Sequence, residues 1–185
     1  MHLAQAYIRK SHIDQGSIYF WTATINGWKH LLKQEEYKKV VIDSLQYLSD
    51  LGKIDVFAFV IMPNHIHLIW RINELNGKES PHSSFLKYTA HIFLKKLRCN
   101  RLGELQSYAV NASNKKYEFW QRDSLAIKLF SRKVAEQKLK YLHNNPLAER
   151  WRLVRNPSKY FHSSALYYET HVKNFPFLKY LWDEL

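Results

Sequence analysis

The spacing of hydrophobic residues in the first part of the chain predicts a strand, a helix and a strand hairpin. Residues 17–25 are rich in aromatic and β-branched side chains, a composition typical of strands. Apolar side chains recur at helical spacing over 37–48 and Gly52 follows them, so we expect a helix that ends before this glycine. Two apolar runs at 54–61 and 66–72 are separated by a Pro-Asn turn, which predicts a hairpin of two strands.

The middle of the chain predicts a helix with one apolar and one basic face, followed by a loop. Leucine, alanine and phenylalanine recur at helical spacing over 86–97. The opposite face repeats basic side chains at the same period, namely Lys87, His91, Lys95 and Arg98. Such a helix packs its apolar face on a core and presents the basic face outward. Residues 100–116 are polar, so we expect a loop there.

The remaining elements complete the series expected for a ferredoxin-like fold. Residues 119–121 and 125–130 are candidate short strands, and Ser131 is a candidate N-cap for a third helix. This helix should end near Asn144, because the residue before Pro146 leaves helical space. The predicted order is β-α-β-β-α-β-α. We therefore expect an α+β protein with a ferredoxin-like antiparallel sheet and helices on one face.

Length and composition indicate one globular domain with an extension. The chain has 185 residues, the usual size of a single domain, and 46% of them are hydrophobic. We place the domain at 1–150 and an aromatic C-terminal extension at 151–185, which packs on the domain or on DNA. The N-terminal residues lack the apolar core of a signal peptide, and no run reaches the ~20 apolar residues of a membrane span. We therefore expect a cytoplasmic protein with no membrane partner.

The charge balance points to a polyanionic partner. The chain carries 28 Lys and Arg against 16 Asp and Glu, a formal net charge of +12. Nucleic acid is the first partner that such a charge predicts and an anionic membrane surface the second, whereas the alternative is a charge that only aids solubility. Aromatic residues make up 15% of the chain and suit stacking on unpaired bases, although aromatics also build cores. The one cysteine excludes an intrachain disulfide and a Cys-rich zinc site.

Two histidines in the predicted hairpin are candidate metal ligands. His65 and His67 lie two residues apart on a strand, so their side chains project from the same face of the sheet. Two imidazoles placed side by side can share one divalent metal ion. The alternative is a pair of half-buried histidines that make ordinary hydrogen bonds.

A tyrosine on the predicted third helix is a candidate nucleophile. Tyr141 lies away from the apolar side of this helix and shares its face with Lys138 and Asn145. Tyr141 and Asn145 are separated by one helical turn, so their tips can reach one site. A tyrosine beside cations can act as a nucleophile, and the alternative is a surface residue without a role.

Taken together, these motifs resemble the HUH single-tyrosine transposases, and within them the REP-associated tyrosine transposases. The resemblance rests on the histidine hairpin at 63–67 and on the Trp-Gln-Arg-Asp sequence at 120–123. It also rests on the helix sequence at 141–146 and on Ser163-Ser164-Ala165 after two aromatic residues. The similarity extends over about 17–168, most of the chain.

The resemblance implies both a site and a reaction. His65, His67 and Asn145 match the family's ligands for Mg²⁺ or Mn²⁺, and Tyr141 matches its nucleophile. The family cleaves single-stranded DNA beside hairpins and leaves a 5′-phosphotyrosine and a free 3′-OH, so we expect a bacterial-type, nucleoid-associated enzyme. In the stretch corresponding to 124–130 many relatives carry a polar triplet, whereas this chain has Leu-Ala-Ile at 125–127, which argues against acid or base help from this stretch.

Basic residues outside the site are candidates for DNA contact, and they are Lys87, Lys95, Arg98, Arg101, Lys115, Arg122 and Lys138. Between the two lysines beside the nucleophile, helix geometry favours Lys138 over Lys140. A catalytically silent protein that binds hairpin DNA or RNA is the alternative function, because ferredoxin-like sheets with aromatics also bind RNA. We expect a monomer or a homodimer.

Overall fold

A computed structural model describes residues 13–122 and 124–185. Residues 1–12 of the expected domain and Asp123 of the Trp-Gln-Arg-Asp sequence lie outside the described residues. The strands are β1 (Ile18–Thr24), β2 (Ile54–Ile61), β3 (His65–Ile72), β4 (Ala109–Ala112), β5 (Lys115–Tyr117) and β6 (Leu125–Lys128). The α-helices are α1 (Glu35–Asp50), α2 (Pro81–Asn100), α3 (Leu102–Gln106), α4 (Arg132–Asn144) and α5 (Ala165–Thr170). In this described part no helix is long and apolar enough to cross a membrane.

Four of the strands form an antiparallel sheet in the order β2-β3-β1-β6. Strand β3 lies in the centre and pairs with both β1 and β2. The fourth strand, β6, pairs with the free edge of β1, and Thr22 lies opposite both His67 and Leu125. This order with its two intervening helices confirms the ferredoxin-like α+β fold that the sequence predicts.

The two faces of the sheet carry separate hydrophobic clusters. On one face Trp21 and Trp70 pack with α1 and α2, whose buried residues include Leu45 and Phe93. On the other face Phe20 and Ile69 pack with α4 through Ala135, Leu139 and Leu142. Because side chains alternate along β3, the residues at 65, 67 and 69 face α4, and those at 66, 68 and 70 face α1 and α2. The expected histidine pair and tyrosine helix therefore share one face.

Helix α4 keeps its helical path beyond its last regular residue. The Ser131 hydroxyl accepts a hydrogen bond from the Val134 backbone N–H at 3.4 Å, as expected of an N-cap. The backbone of Asn145 retains helical angles, φ −54° and ψ −41°, although Pro146 follows it. The expectation that this residue leaves helical space is therefore wrong, and Tyr141 and Asn145 keep their one-turn separation.

Residues 100–121 differ from the sequence prediction in two places. The expected loop at 100–116 contains the short helix α3 and a two-stranded sheet of β4 and β5. The expected strand at 119–121 is reduced to a single bridge between Trp120 and Ile25. Most β4 and β5 side chains are at least partly exposed, so hydrophobic periodicity gives no signal there.

The C-terminal extension covers the outer edge of β2. Ser163 forms an antiparallel bridge with Val60, and the Ile61 backbone N–H donates to the His162 carbonyl at 2.9 Å. The Tyr160 hydroxyl donates to the Ile61 carbonyl at 2.7 Å. These bonds satisfy backbone groups that an edge strand otherwise presents to solvent.

Candidate active site

Asn64 fixes the protonation pattern of His65. The Asn64 side-chain amide donates to the Trp28 carbonyl at 3.2 Å, so its Oδ1 points towards the imidazole. This Oδ1 lies 2.7 Å from His65 Nδ1, which must therefore carry the proton and donate. The other ring nitrogen, Nε2, is left with its lone pair, the form in which histidine binds metals.

His67 stands beside His65 and is held from β1. Its Nδ1 lies 2.7 Å from the Thr22 hydroxyl, and the two imidazole centroids are 4.7 Å apart. Burial lowers the pKa of His65 to about 4, and the charge of Arg150 acts in the same direction. Burial also holds the pKa of His67 well below its usual value, with smaller effects from His65 and Arg150. Both rings are therefore neutral at neutral pH and able to act as ligands.

Asn145 completes a group of buried acceptors without partners. Its side chain lies within hydrogen-bonding reach of His65, and this interaction raises the pKa of the imidazole against the larger effect of burial. Within the described residues, His67 Nε2 and Asn145 Oδ1 are buried and accept no hydrogen bond. Buried polar atoms without partners are costly, and a cation would satisfy both of them together with His65 Nε2. Two imidazole nitrogens and one amide oxygen thus fit a divalent metal.

The candidate metal site contains only two residues of the usual ligand types, His65 and His67. Among residues 13–122 and 124–185, no three His, Cys, Asp or Glu side chains group together as a metal site. The third member of this group is an amide, which leaves the charge of a bound cation unquenched. Imidazole nitrogens are softer donors than the oxygens that Mg²⁺ prefers, so Mn²⁺ is the better probe of the two expected ions.

The Tyr141 ring lies against His67 in an edge-on contact. Its ring centroid is 5.4 Å from that of His67 and 5.9 Å from that of Phe20. One side of the tyrosine packs on these rings, while 50% of the residue remains exposed. Lys138 lies one turn earlier on α4, with its ammonium 5.2 Å from the Phe20 ring centre. Helix α4 therefore brings a reachable hydroxyl to the histidine face of the sheet.

A cleft beside Tyr141 contains two further cations. It is lined by Gln137, Lys140, Tyr141, Asn144, Asn145, Ala148 and Arg150. Lys140, which helix geometry disfavours as a neighbour of the nucleophile, is thus also close to it. Arg150 is a functional candidate that sequence reasoning misses, because it follows the last predicted helix in a segment without periodicity. The available signal is its position five residues after Asn145.

Most of the basic residues expected to contact DNA lie away from this site. Lys87, Lys95 and Arg98 are exposed on α2, across the sheet from the histidines. Four of the seven form ion pairs: Lys87 with Glu79, Arg101 with Glu104, and Lys115 and Arg122 both with Glu118. Lys138 is the member of the set that the structure brings to the site, where its charge lowers the pKa of His67 after the larger effect of burial.

The comparison with known proteins gives the fold. No protein-family model and no curated protein matches the chain. The chain is similar to a REP-associated tyrosine transposase solved in complex with a REP hairpin, with a TM-score of 0.61 over 89% of this chain and 86% of that chain. The two sequences are 16% identical, so the likeness establishes a shared fold. A candidate transposase from Deinococcus radiodurans R1 has a TM-score of 0.43 at 13% identity, over 78% of this chain and 97% of that chain, which is too low to carry an argument.

Proposed function

We propose that the protein is a single-tyrosine transposase, which cleaves and rejoins single-stranded DNA near a hairpin through a 5′-phosphotyrosine intermediate. The observation that carries this proposal is a half-exposed Tyr141 whose ring lies 5.4 Å from His67. His67 and Asn145 each have a buried hydrogen-bond acceptor without a partner, namely His67 Nε2 and Asn145 Oδ1. The shared fold with a transposase that was solved bound to a REP hairpin supports the same reading.

The proposed reaction is an exchange of one phosphoester bond for another. The Tyr141 hydroxyl oxygen attacks phosphorus and releases its proton to solvent, since the residue is half exposed. The bond from phosphorus to the 3′ oxygen breaks, and this oxygen leaves and takes up a proton. The phosphotyrosine retains the energy of the broken bond, so a 3′-OH can later attack it and rejoin the strand without ATP.

The residues around Tyr141 have distinct proposed roles. His65, His67 and Asn145 would hold Mg²⁺ or Mn²⁺, which supplies Lewis-acid polarisation of a non-bridging phosphate oxygen. Arg150 and Lys140 line the cleft and bind the negative phosphate at that place. Thr22 and Asn64 orient the two imidazoles through their Nδ1 atoms.

The deciding experiment is a search for a covalent adduct between the protein and single-stranded DNA. The protein is incubated with Mn²⁺ and an end-labelled hairpin oligonucleotide taken from the flanks of its own gene. We expect a product that survives denaturing electrophoresis and is absent for Tyr141→Phe, which keeps the ring and its packing. Tyr47→Phe is the matched control, because Tyr47 is exposed on α1 across the sheet.

The other outcomes contradict defined parts of the proposal. An adduct on Tyr141→Phe would identify another nucleophile, although Tyr108 is buried and Tyr117 packs against the α1–α2 cluster. Strand cleavage without any adduct would identify water as the attacker and the protein as a nuclease. Hairpin binding without cleavage or adduct would identify a catalytically silent nucleic-acid-binding protein.

A further inference from the structure

Trp28 combines an exposed indole with an unfavourable backbone conformation. Its φ is +56°, in the left-handed region that bulky residues rarely adopt, and the preceding Gly27 also has a positive φ of +66°. The residue is 56% exposed, and within the described part of the chain its ring stacks on no other aromatic ring. Neither the backbone nor the packing of the fold therefore accounts for a tryptophan here.

The loop that carries Trp28 is fastened to the candidate active site. The side chain of Asn64 donates to the Trp28 carbonyl at 3.2 Å, and its Oδ1 accepts from His65 Nδ1 at 2.7 Å. The Asn64 carbonyl also accepts from the Ile25 backbone N–H at 2.8 Å. A single side chain is thus hydrogen-bonded both to a metal-ligand candidate and to the backbone of Trp28.

The surroundings of Trp28 suit a nucleotide. Trp28, Lys29 and His30 line a cleft with Tyr108, and the Lys29 ammonium lies 5.2 Å from the Tyr108 ring centre. Glu104 also lines this cleft. Aromatic contacts connect this cleft with the candidate active site. The ring centroid of His30 is 5.5 Å from that of Trp151, and the centroid of Trp151 is 6.1 Å from that of His65. Indole faces next to cations bind successive bases and phosphates of unpaired strands.

We infer that Trp28 is a stacking platform for one unpaired nucleobase of the strand whose scissile phosphate is bound beside Tyr141. The inference rests on the proposed function, because it takes single-stranded DNA as the ligand. In this arrangement the Asn64 contact holds the backbone of Trp28 in place before DNA binds. The Lys29 ammonium beside it attracts the adjoining phosphate.

The test separates stacking from folding by using residues that differ in their tolerance of a positive φ. Trp28→Asn removes the indole, and asparagine adopts the left-handed region more readily than tryptophan. We expect this variant to bind a short fluorescein-labelled oligothymidine strand about tenfold or more weakly, measured by fluorescence anisotropy. Its Tm should equal or exceed that of the unmodified protein. Trp28→Phe should retain most of the affinity, and Tyr47→Ala, on the opposite face, should bind as the unmodified protein does.

A strand of the same length without bases provides the second readout. The unmodified protein should lose affinity for this abasic strand, whereas Trp28→Asn should lose much less. Equal binding of oligothymidine by Trp28→Asn and the unmodified protein would overturn the stacking role, and an adduct at Tyr141 would then leave the proposed function intact. A large fall in the Tm of Trp28→Asn would assign the indole a structural role and also overturn the inference. If the unmodified protein binds no single-stranded DNA, both proposals fail.

Discussion

At the scale of single residues, the candidate site depends on side chains that orient other side chains. Asn64 and Thr22 each approach the Nδ1 of one histidine at 2.7 Å and leave the opposite nitrogen available. The sequence predicts that His65 and His67 share a face, because alternation along a strand is a local property. It does not predict Thr22 or Arg150 as neighbours, since these contacts join segments that are distant in the chain.

His67→Ala should abolish cleavage and leave DNA binding nearly intact. The change removes one of three acceptors proposed to hold the metal, whereas binding of the strand depends on basic and aromatic side chains elsewhere. Calorimetric titration with Mn²⁺ should show loss of metal binding, and anisotropy should show DNA affinity within a few-fold of the original. The control His91→Ala removes an exposed histidine of α2. Full cleavage by His67→Ala, or by the unmodified protein in chelator, would contradict the metal role.

At the scale of secondary-structure elements, the long strands and helices are predicted from the sequence and the short ones are not. The apolar run at 54–61 corresponds to β2 residue for residue, and the helical stripe over 37–48 lies inside α1. The hairpin of β4 and β5 has too few buried side chains to show a period, and its pairing follows from a local turn. The contacts of the extension along β2 could not be predicted from sequence patterns either, because they are backbone hydrogen bonds between segments that are distant in the chain.

One buried hydroxyl joins three of these elements. Ser164, in the extension, accepts from the Phe59 backbone N–H of β2 at 3.0 Å. The same oxygen shares a 2.9 Å hydrogen bond with Nε2 of His143, which lies on α4 between Tyr141 and Asn145. Together with the buried apolar face of α4, this bond holds the helix that carries Tyr141 against the sheet. The Ser-Ser-Ala sequence noted from the resemblance thus has a structural role in this chain.

Ser164→Ala should therefore destabilise the fold by about 3 kcal/mol. It leaves the buried Phe59 N–H without a partner and removes the hydrogen bond to the partly buried His143, and each such loss costs about 1–3 kcal/mol. Urea unfolding followed by circular dichroism measures the change in the free energy of unfolding. Ser107→Ala, which removes an exposed hydroxyl bonded to the Glu104 carbonyl, should change it by less than about 0.5 kcal/mol. Similar small effects for both variants would show that Ser164 does not secure α4.

At the scale of the whole molecule, two basic regions lie on opposite faces of the four-stranded sheet. Lys138, Lys140 and Arg150 surround the candidate site, whereas the exposed basic residues of α2 lie on the other face. The net charge of +12 predicts a polyanionic partner but not this division, because charge counts carry no positions. Under the proposed function, a hairpin and its single-stranded flank have different shapes, and the two basic regions would each bind one of them.

The molecule also buries histidines in their neutral form, which links folding to pH. Burial lowers the pKa of His143 to about 4 from the usual 6.5, and it lowers the pKa of His65 to about 4 as well. Burial lowers the pKa values of His67, His82 and His162 in the same direction. An unfolded chain binds protons at these positions below pH 6.5 and the folded chain does not, so acid favours unfolding.

We therefore expect the free energy of unfolding to be nearly constant between about pH 7 and about pH 9, below the usual tyrosine pKa, and to fall as the pH drops from 6.5 towards 4. One buried histidine with a shift of this size contributes about 3 kcal/mol over the window, or about 1.4 kcal/mol per pH unit at its steepest. Asp55 acts in a different window: burial raises its pKa, but hydrogen bonds from Lys179 and Arg71 outweigh burial and hold the pKa below 3.8. Its contribution is therefore lost only in stronger acid.

The measurement is urea unfolding at a series of pH values in chelator, for the original protein and for His143→Gln. Between pH 6.5 and 4 the free energy of unfolding of the variant should depend less steeply on pH, by about one proton. An equal slope in the two proteins, or stability that increases on acidification, would show that His143 is not held neutral by the fold.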